Sequence, residues 1–183
     1  MKKIIYFLLF GWEWKNGVWQ RQINYRTTEL ALNLVVRESD WARKKAAEDI
    51  RNQLAEQGII VDIIYANDES YVSYLNNVNY DMLLCEISQP IAPDLTTYFG
   101  YNNLANFNNE EVNEIMSAIK NITDENELKE KYQRLYDIYI DAVPYITIAR
   151  NKVLALKNTR LEGEIRANWY DMFYNIDEWY IAE

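Results

Sequence analysis

The 183-residue chain has no histidine, one cysteine, three prolines and five glycines. Without histidine it lacks the commonest general base near neutral pH, every Ser-His-Asp or Cys-His arrangement, and the usual imidazole ligands of zinc and copper. A lone cysteine forms no intramolecular disulfide, and Cys85 lies in the apolar run from Met82 to Ile87, where a structural thiol is expected rather than a nucleophile. Cysteine poverty does not fix the compartment. The glycines at 11, 17, 58, 100 and 163 stand singly, so there is neither a P-loop nor a dinucleotide fingerprint. Basic residues are also short: 19 Lys and Arg against 28 Asp and Glu give a net charge of −9, which repels a phosphate backbone and argues against nucleic acid as a partner. Long apolar runs are missing too. Lys2 and Lys3 precede Ile4 to Phe10 in the manner of a secretory signal, but that run falls far short of the roughly 20 residues of a spanning helix. Gly11, Trp12, Glu13 and Trp14 follow it with no small-x-small cleavage site.

What remains is an ordinary globular composition, 49% apolar and 26% charged, in a length suited to one compact domain with a real core. Aromatic residues are plentiful at 14%, and rings with polar tips suit clefts and interfaces. Leu30 to Val36 reads as a strand buried on both sides, with Leu30, Leu32, Leu34 and Val36 on one face. Ser39 or Asp40 then caps a helix whose Ala42, Ala46, Ala47, Ile50 and Leu54 recur at helical spacing until Gly58 stops it. Ile59 to Ile64 is a second strand, a short helix near Glu69 to Leu75 starts at Asp68 as cap, and Met82 to Ile87 is a third strand. This order predicts a parallel sheet with crossover helices.

Ser88 to Asp94 carries two of the three prolines and is expected as a loop leaving a strand's carboxyl end, where open α/β sheets tend to bind ligands. Asn109 caps a helix bearing Val112, Ile115, Met116 and Ile119. Asp124 with Glu127 forms a capping box for a longer helix bearing Leu128, Tyr132, Leu135, Tyr136, Tyr139 and Val143, which Pro144 ends. Tyr145 to Ala149 and Val153 to Leu156 read as two short strands, and the chain from Gly163 is aromatic and irregular.

The acidic pairs Glu110–Glu111 and Asp124–Glu125 sit at helix starts, where negative charge favours the macrodipole, so they read as caps rather than acid/base machinery. No EF-hand spacing appears, and neither a metal site nor a cofactor is expected. Trp12, Trp14 and Trp19 with Tyr25 are candidates for stacking on a sugar or a peptide side chain. The same alternation is also one face of a hairpin turning at Asn16-Gly17, the reading favoured here, and it leaves the rings able to line a cleft.

Taken in order, LNLVVRESDWARKKAAEDIRNQLAEQGIIVDII, NYDMLLCEISQPIAPDLTTYFG, NFNNEEVNEIMSAIK, DENELKEKYQRLYDIYIDAVPYITIA and LEGEIRANWYDMFYNIDEWYI resemble the carboxyl-terminal lobe of family 5 extracellular solute-binding proteins, the oligopeptide and dipeptide type. GWEWKNGVW resembles that family's Gly-Trp turn with its Asn-Gly hairpin. The resemblance runs from Gly11 to Ile181 and implies an α/β, periplasmic-binding-protein-like (type II) lobe with a mixed, mostly parallel sheet flanked by helices. It divides the chain into an N-terminal remnant with the Trp-rich hairpin (1–29), the α/β lobe (30–160) and an aromatic segment packing on it (161–183). Met1 to Phe10 is then the remnant of the helix before the Gly-Trp turn, and the family's lipoprotein signal and much of the other lobe would precede Met1.

Such proteins close two lobes on a peptide or other small solute and deliver it to an ABC permease. The resemblance thus implies no turnover, an extracellular or periplasmic setting, and a membrane anchor in the full-length protein. A freestanding or regulator-attached sensing module of the same fold is the alternative. Pro93 matches the proline of the family's ligand segment. Gln89 falls where the carboxylate that pairs with a peptide's α-amine would sit, and Glu86 falls at that segment's aromatic position. Glu86, Ser88, Gln89, Asp94, Tyr98 and Asn103 are the ligand-binding residues the resemblance implies. A neutral amide at 89 loses the charge-assisted part of an ammonium contact, about 1–2 kcal/mol, which Glu86 is positioned in sequence to restore.

Overall fold

The computed structural model describes residues 10–88, 94–150, 156–168 and 170–182. The expected helix remnant before Gly11 and the bulk of the Ser88 to Asp94 loop lie outside these residues. Two compact units result, Met1–Ser88 and Gln89–Glu183.

The first unit opens with an antiparallel meander, β1 (Glu13–Lys15), β2 (Val18–Ile23) and β3 (Arg26–Glu29). Lys15 pairs with Val18 across Asn16-Gly17, whose φ values of 54° and 83° are the paired left-handed residues of a type I′ turn. Trp14 faces Trp19, their rings edge-to-face at 5.3 Å. β3 is an addition to the sequence reading. Its turn is Asn24-Tyr25, at φ 49° and 64°, and a tyrosine in that region gives no turn signal; RTTE, exposed throughout, gives no alternation either.

Strands β4 (Ala31–Arg37), β5 (Ile60–Ala66) and β6 (Met82–Leu84) form a parallel sheet in the order β5-β4-β6. Helix α1 (Trp41–Glu56) covers one face, where Leu34, Val36, Ala47 and Val61 form a buried cluster; α2 (Asp68–Asn77) covers the other, with Val35, Ala66 and Tyr71. Alternate residues of β4 therefore feed opposite cores. Val35 and Val36 are fully buried, each worth about 1.5–3 kcal/mol of apolar transfer. Asp40 caps α1 by accepting from the Arg43 amide at 2.9 Å, and Gly58 at φ 70° follows its end.

Two sequence expectations are corrected here. The cap of α2 is Asn67, which accepts from the Ser70 amide at 2.8 Å, while Asp68 is the first helical residue, placed to favour the macrodipole. β6 stops at Leu84 instead of Ile87, because Leu84 already pairs with Val36 and β4 ends one residue later. At the other end, where β6 has not begun, the Asp81 carboxylate takes the Asn33 amide at 2.7 Å.

In the second unit, a single turn α3 (Thr96–Phe99) precedes α4 (Glu110–Ala118) and α5 (Glu125–Ala142). Asn109 and Asp124 cap these last two through the Val112 and Glu127 amides. Phe99, Val112, Ile115, Leu135 and Ile138 form the core. Val143 ends α5 in a left-handed conformation, just before Pro144. Tyr145 to Ala149 is no strand: it pairs with nothing in a ladder among the described residues, and β-branched residues alone do not make a strand. Residues 151–155 of the other expected strand lie outside the described residues, and Leu156 belongs to no strand. Near the end, β7 (Leu161–Glu162) pairs with β8 (Tyr180–Ile181).

Arg134 on α5 grips Glu111 on α4 with two bonds, at 2.6 and 2.8 Å. Those bonds hold the Glu111 carboxyl below its usual value of 4.5. A depressed carboxyl stabilises the fold above its unfolded value and loses that contribution as pH falls through the folded one. The expected result is a Tm that declines below about pH 4.5, with a shallower decline in Glu111→Gln; equal slopes in thermal melts from pH 7 to 3 would remove the pair from the account.

Candidate functional site

In the first unit the chain runs from central β4 outward to β5, then crosses to β6 on β4's opposite side. The chain thus leaves β4 to opposite sides, and the carboxyl ends of β4 and β6 flank the topological switch point, the place where open α/β sheets tend to bind ligands. Arg37 ends β4, Cys85 and Glu86 leave β6, and the first turn of α1 brings Asp40 and Arg43 to the same edge.

These groups are tightly interlocked. Arg43 donates from Nη2 to Glu86 Oε2 at 2.6 Å and pairs through Nη1 with Asp40 Oδ2 at 2.7 Å. Its side chain is only 25% exposed, against 57% for Glu86. Arg37 pairs with Asp68 at 3.0 Å and lies 4.8 Å over the Tyr71 ring, whose hydroxyl donates to the Leu84 carbonyl at 3.2 Å. Burial raises the Cys85 thiol pKa, with Arg43 pulling the other way, and a thiol kept protonated suits the structural role expected of it. Burial likewise raises Tyr71 and Tyr80. Beside this edge, Glu38, Ser39, Asn67 and Asp68 line a shallow depression beyond β4 and β5.

The sequence-predicted ligand residues divide between the two units. Glu86 stands at the switch point, committed to Arg43, and Ser88 follows it exposed. Gln89 and Pro93 lie outside the described residues. In the second unit, exposed Asp94 accepts from the Thr96 amide at 2.9 Å; bonds from the Thr96 hydroxyl and then its amide hold the carboxyl below its usual range. Tyr98 is half-buried, its ring edge-to-face with Tyr145 at 5.5 Å. Asn103 is spent on its own loop. Its Nδ2 donates to the carbonyls of Gly100 (3.0 Å) and Phe107 (2.7 Å), and its Oδ1 accepts from the Phe107 amide (3.0 Å) and the Tyr145 hydroxyl (3.1 Å). Two donors and two acceptor sites are the whole capacity of an amide side chain. Asn103 therefore clips the 100–107 loop and offers a ligand nothing further.

Arg43 was missed by sequence reasoning, although a signal for it existed. A helix that starts just after a strand places its first-turn side chains at the sheet's mouth, and Arg43 stands three residues after the Asp40 cap. Trp14 and Trp19 take the hairpin alternative: Trp19 is buried, its indole donating to the Gln57 carbonyl at 2.9 Å. Among the described residues no group of three or more His, Cys, Asp or Glu is arranged to hold a metal, and no helix is long and apolar enough to cross a membrane.

No protein-family model and no curated protein matches the sequence. Solved structures do. The oligopeptide-binding protein AppA from Bacillus subtilis, in complex with a nonapeptide, aligns with 100% of this chain and 37% of its own, at TM-score 0.67 and 20% identity. NikZ from Campylobacter jejuni, in complex with Ni(L-His), aligns with 97% of this chain and 38% of its own, at TM-score 0.71 and 18% identity. The ABC transporter substrate-binding protein CtaP from Listeria monocytogenes gives 84% and 33%, at TM-score 0.67 and 19% identity. The chain thus has the α/β, periplasmic-binding-protein-like fold expected of it, and it spans little more than a third of the length of the structures it matches.

Proposed function

We propose that the chain is a lobe of an extracellular or periplasmic solute-binding protein. In this reading it captures a peptide or similar small solute by hinge closure against a second lobe, and hands the solute to an ABC permease without chemical change. The supporting observation is the alignment of nearly the entire chain with only 37–38% of two solute-binding proteins. The rest of such a protein would supply the second lobe, the anchor and the remaining cleft wall. Glu86 and Ser88 of the first unit, and Gln89, Asp94 and Tyr98 of the second, are the residues proposed to meet the solute, with Asn103 holding the 100–107 loop.

The test is a denaturing immunoblot of membrane and soluble fractions of the source cells, with antibody raised against this chain. A membrane-associated band between two and three times 21.8 kDa is expected from the share of the matched chains that this one covers. A soluble band at 21.8 kDa alone would overturn the transport reading in favour of a freestanding module. In the full-length protein, Gln89→Ala is expected to weaken solute binding about threefold to tenfold, the worth of one neutral hydrogen bond, with little change in Tm. Calorimetry showing unchanged affinity would take residue 89 out of the wall.

A further inference from the structure

Independently of that reading, we infer that the outer half of the β1–β3 meander is a docking face for an acidic peptide segment of a partner protein, with the Arg21 guanidinium, braced on Trp12, receiving a carboxylate. The two faces of the meander differ. Strand alternation and register put Glu13, Lys15, Gln20, Gln22, Thr27 and Glu29 on one of them. That face is closed on itself: Glu13 pairs with Lys15, Gln20 donates to Glu29 at 3.2 Å, and Gln22 donates to Thr27 at 2.8 Å. The other face carries Trp14, Trp19, Arg21, Ile23, Arg26 and Thr28. Its tryptophan end is anchored, since the Trp19 amide and indole donate to the Gly58 and Gln57 carbonyls. Beyond Arg21 it is open, with Ile23, Arg26 and Thr28 all exposed.

Arg21 is built to receive an anion. Its guanidinium carbon stands 4.6 Å over the Trp12 ring, and its Nε is cut off from solvent with no acceptor, whereas Nη1 and Nη2 keep access to solvent. The ring contact and the enclosed Nε hold the head group in place. Its Nη1–Nη2 edge is therefore the side a carboxylate reaches, and that edge matches one with two parallel bonds. Among the described residues neither Arg21 nor Arg26 has a carboxylate within pairing distance, because the meander's own acids, Glu13 and Glu29, lie on the far face and are engaged there. The first ten residues of the chain contain no Asp or Glu, only Lys2 and Lys3 as charges. Two uncompensated guanidiniums on one face, in a chain of net charge −9, set the sign of the partner. Trp12, Ile23 and the fully exposed Tyr25 surround them with aromatic and apolar surface, and aromatics with arginine are enriched where proteins dock. The meander joins the sheet through Leu30 and Gly58, at the amino ends of β4 and β5. An occupant there leaves the switch point, at the carboxyl ends, free.

The experiment titrates the full chain with N-acetyl-tetraglutamate amide and, as its uncharged counterpart, N-acetyl-tetraglutamine amide, following the Trp12 indole N–H and the Arg21 Nε–H by NMR. The glutamate peptide is expected to give saturable shifts at both groups and to bind at least about fivefold more tightly than the glutamine one, the difference between charged and neutral bonds. Arg21→Gln is expected to weaken it at least about tenfold. Arg26→Gln changes an exposed side chain that takes no part in holding the meander, and is expected to weaken it about threefold. Arg51→Gln, at an exposed position of α1, is expected to leave it unchanged. The Trp19 indole signal, at the anchored end, separates a lost contact from a lost hairpin. Equal binding of the two peptides, or equal losses in Arg51→Gln and Arg21→Gln, would overturn the docking face, as would wild-type affinity in both Arg21→Gln and Arg26→Gln. Self-association of the wild-type chain that Arg21→Gln abolishes would overturn it too, a second copy then being the occupant.

Discussion

Asn103→Ala lowers the stability of the second unit by about 2–4 kcal/mol, the sum expected when four hydrogen bonds of ordinary net worth are deleted and their backbone partners left in a half-buried loop. The Phe107 amide and carbonyl and the Gly100 carbonyl all lose their side-chain partner, as does the Tyr145 hydroxyl. Hydrogen exchange at the Phe107 amide is the direct readout. Its protection is expected to fall by a factor of at least about 30, each 1.4 kcal/mol being tenfold. Tyr145→Phe removes the hydroxyl's bonds to Asn103 and to the Ala105 amide (3.2 Å) and is expected to cost less, about 1–2 kcal/mol. Near-neutral exchange in Asn103→Ala would return this residue to the candidates for ligand contact.

The second large effect belongs to Gly58. Its φ of 70° is a conformation that residues bearing a Cβ seldom adopt, and that Cβ would stand 2.2 Å from Trp14 Cζ3 and 2.8 Å from the Gly17 carbonyl oxygen. Trp14 is half-exposed and its ring can swing away, but the Gly17 backbone belongs to the hairpin turn itself. Gly58→Ala is therefore expected to cost about 2–4 kcal/mol in urea unfolding, from backbone strain plus displacement of the hairpin. In a Trp14→Ala background the same substitution should cost less, since one of the two collisions has gone. A cost within about 0.5 kcal/mol of zero would mean the hairpin is free to shift at this point.

Much of the fold was legible where one physical cause dominated. Buried β-branched runs marked β4 and β5, and side-chain caps at Asp40, Asn109 and Asp124 marked helix starts within a residue, because each carries its own hydrogen bond to the first turn. Legibility failed where the deciding partner lies far along the chain. YITIA has the composition of a strand, yet its Tyr145 is bound to Asn103, and no neighbouring strand accompanies it among the described residues. β3 is held by pairing with β2 and by nothing in its own pattern. The site divides in the same way. Glu86 is found from its place in the sequence, but its ion-pair partner Arg43 lies 43 positions earlier.

The β5-β4-β6 order has a consequence for how the polypeptide is made. β4 leaves the ribosome before either neighbour, and its Ala31 must wait for Ile60 and its Leu34 for Met82. At ordinary synthesis rates these delays are about 2–10 seconds; α1 emerges before β5, and β4 keeps one edge unpaired until β6 arrives. The sheet is completed only by β6, three residues long, so the last edge of β4 to be covered is also the one covered by the shortest strand.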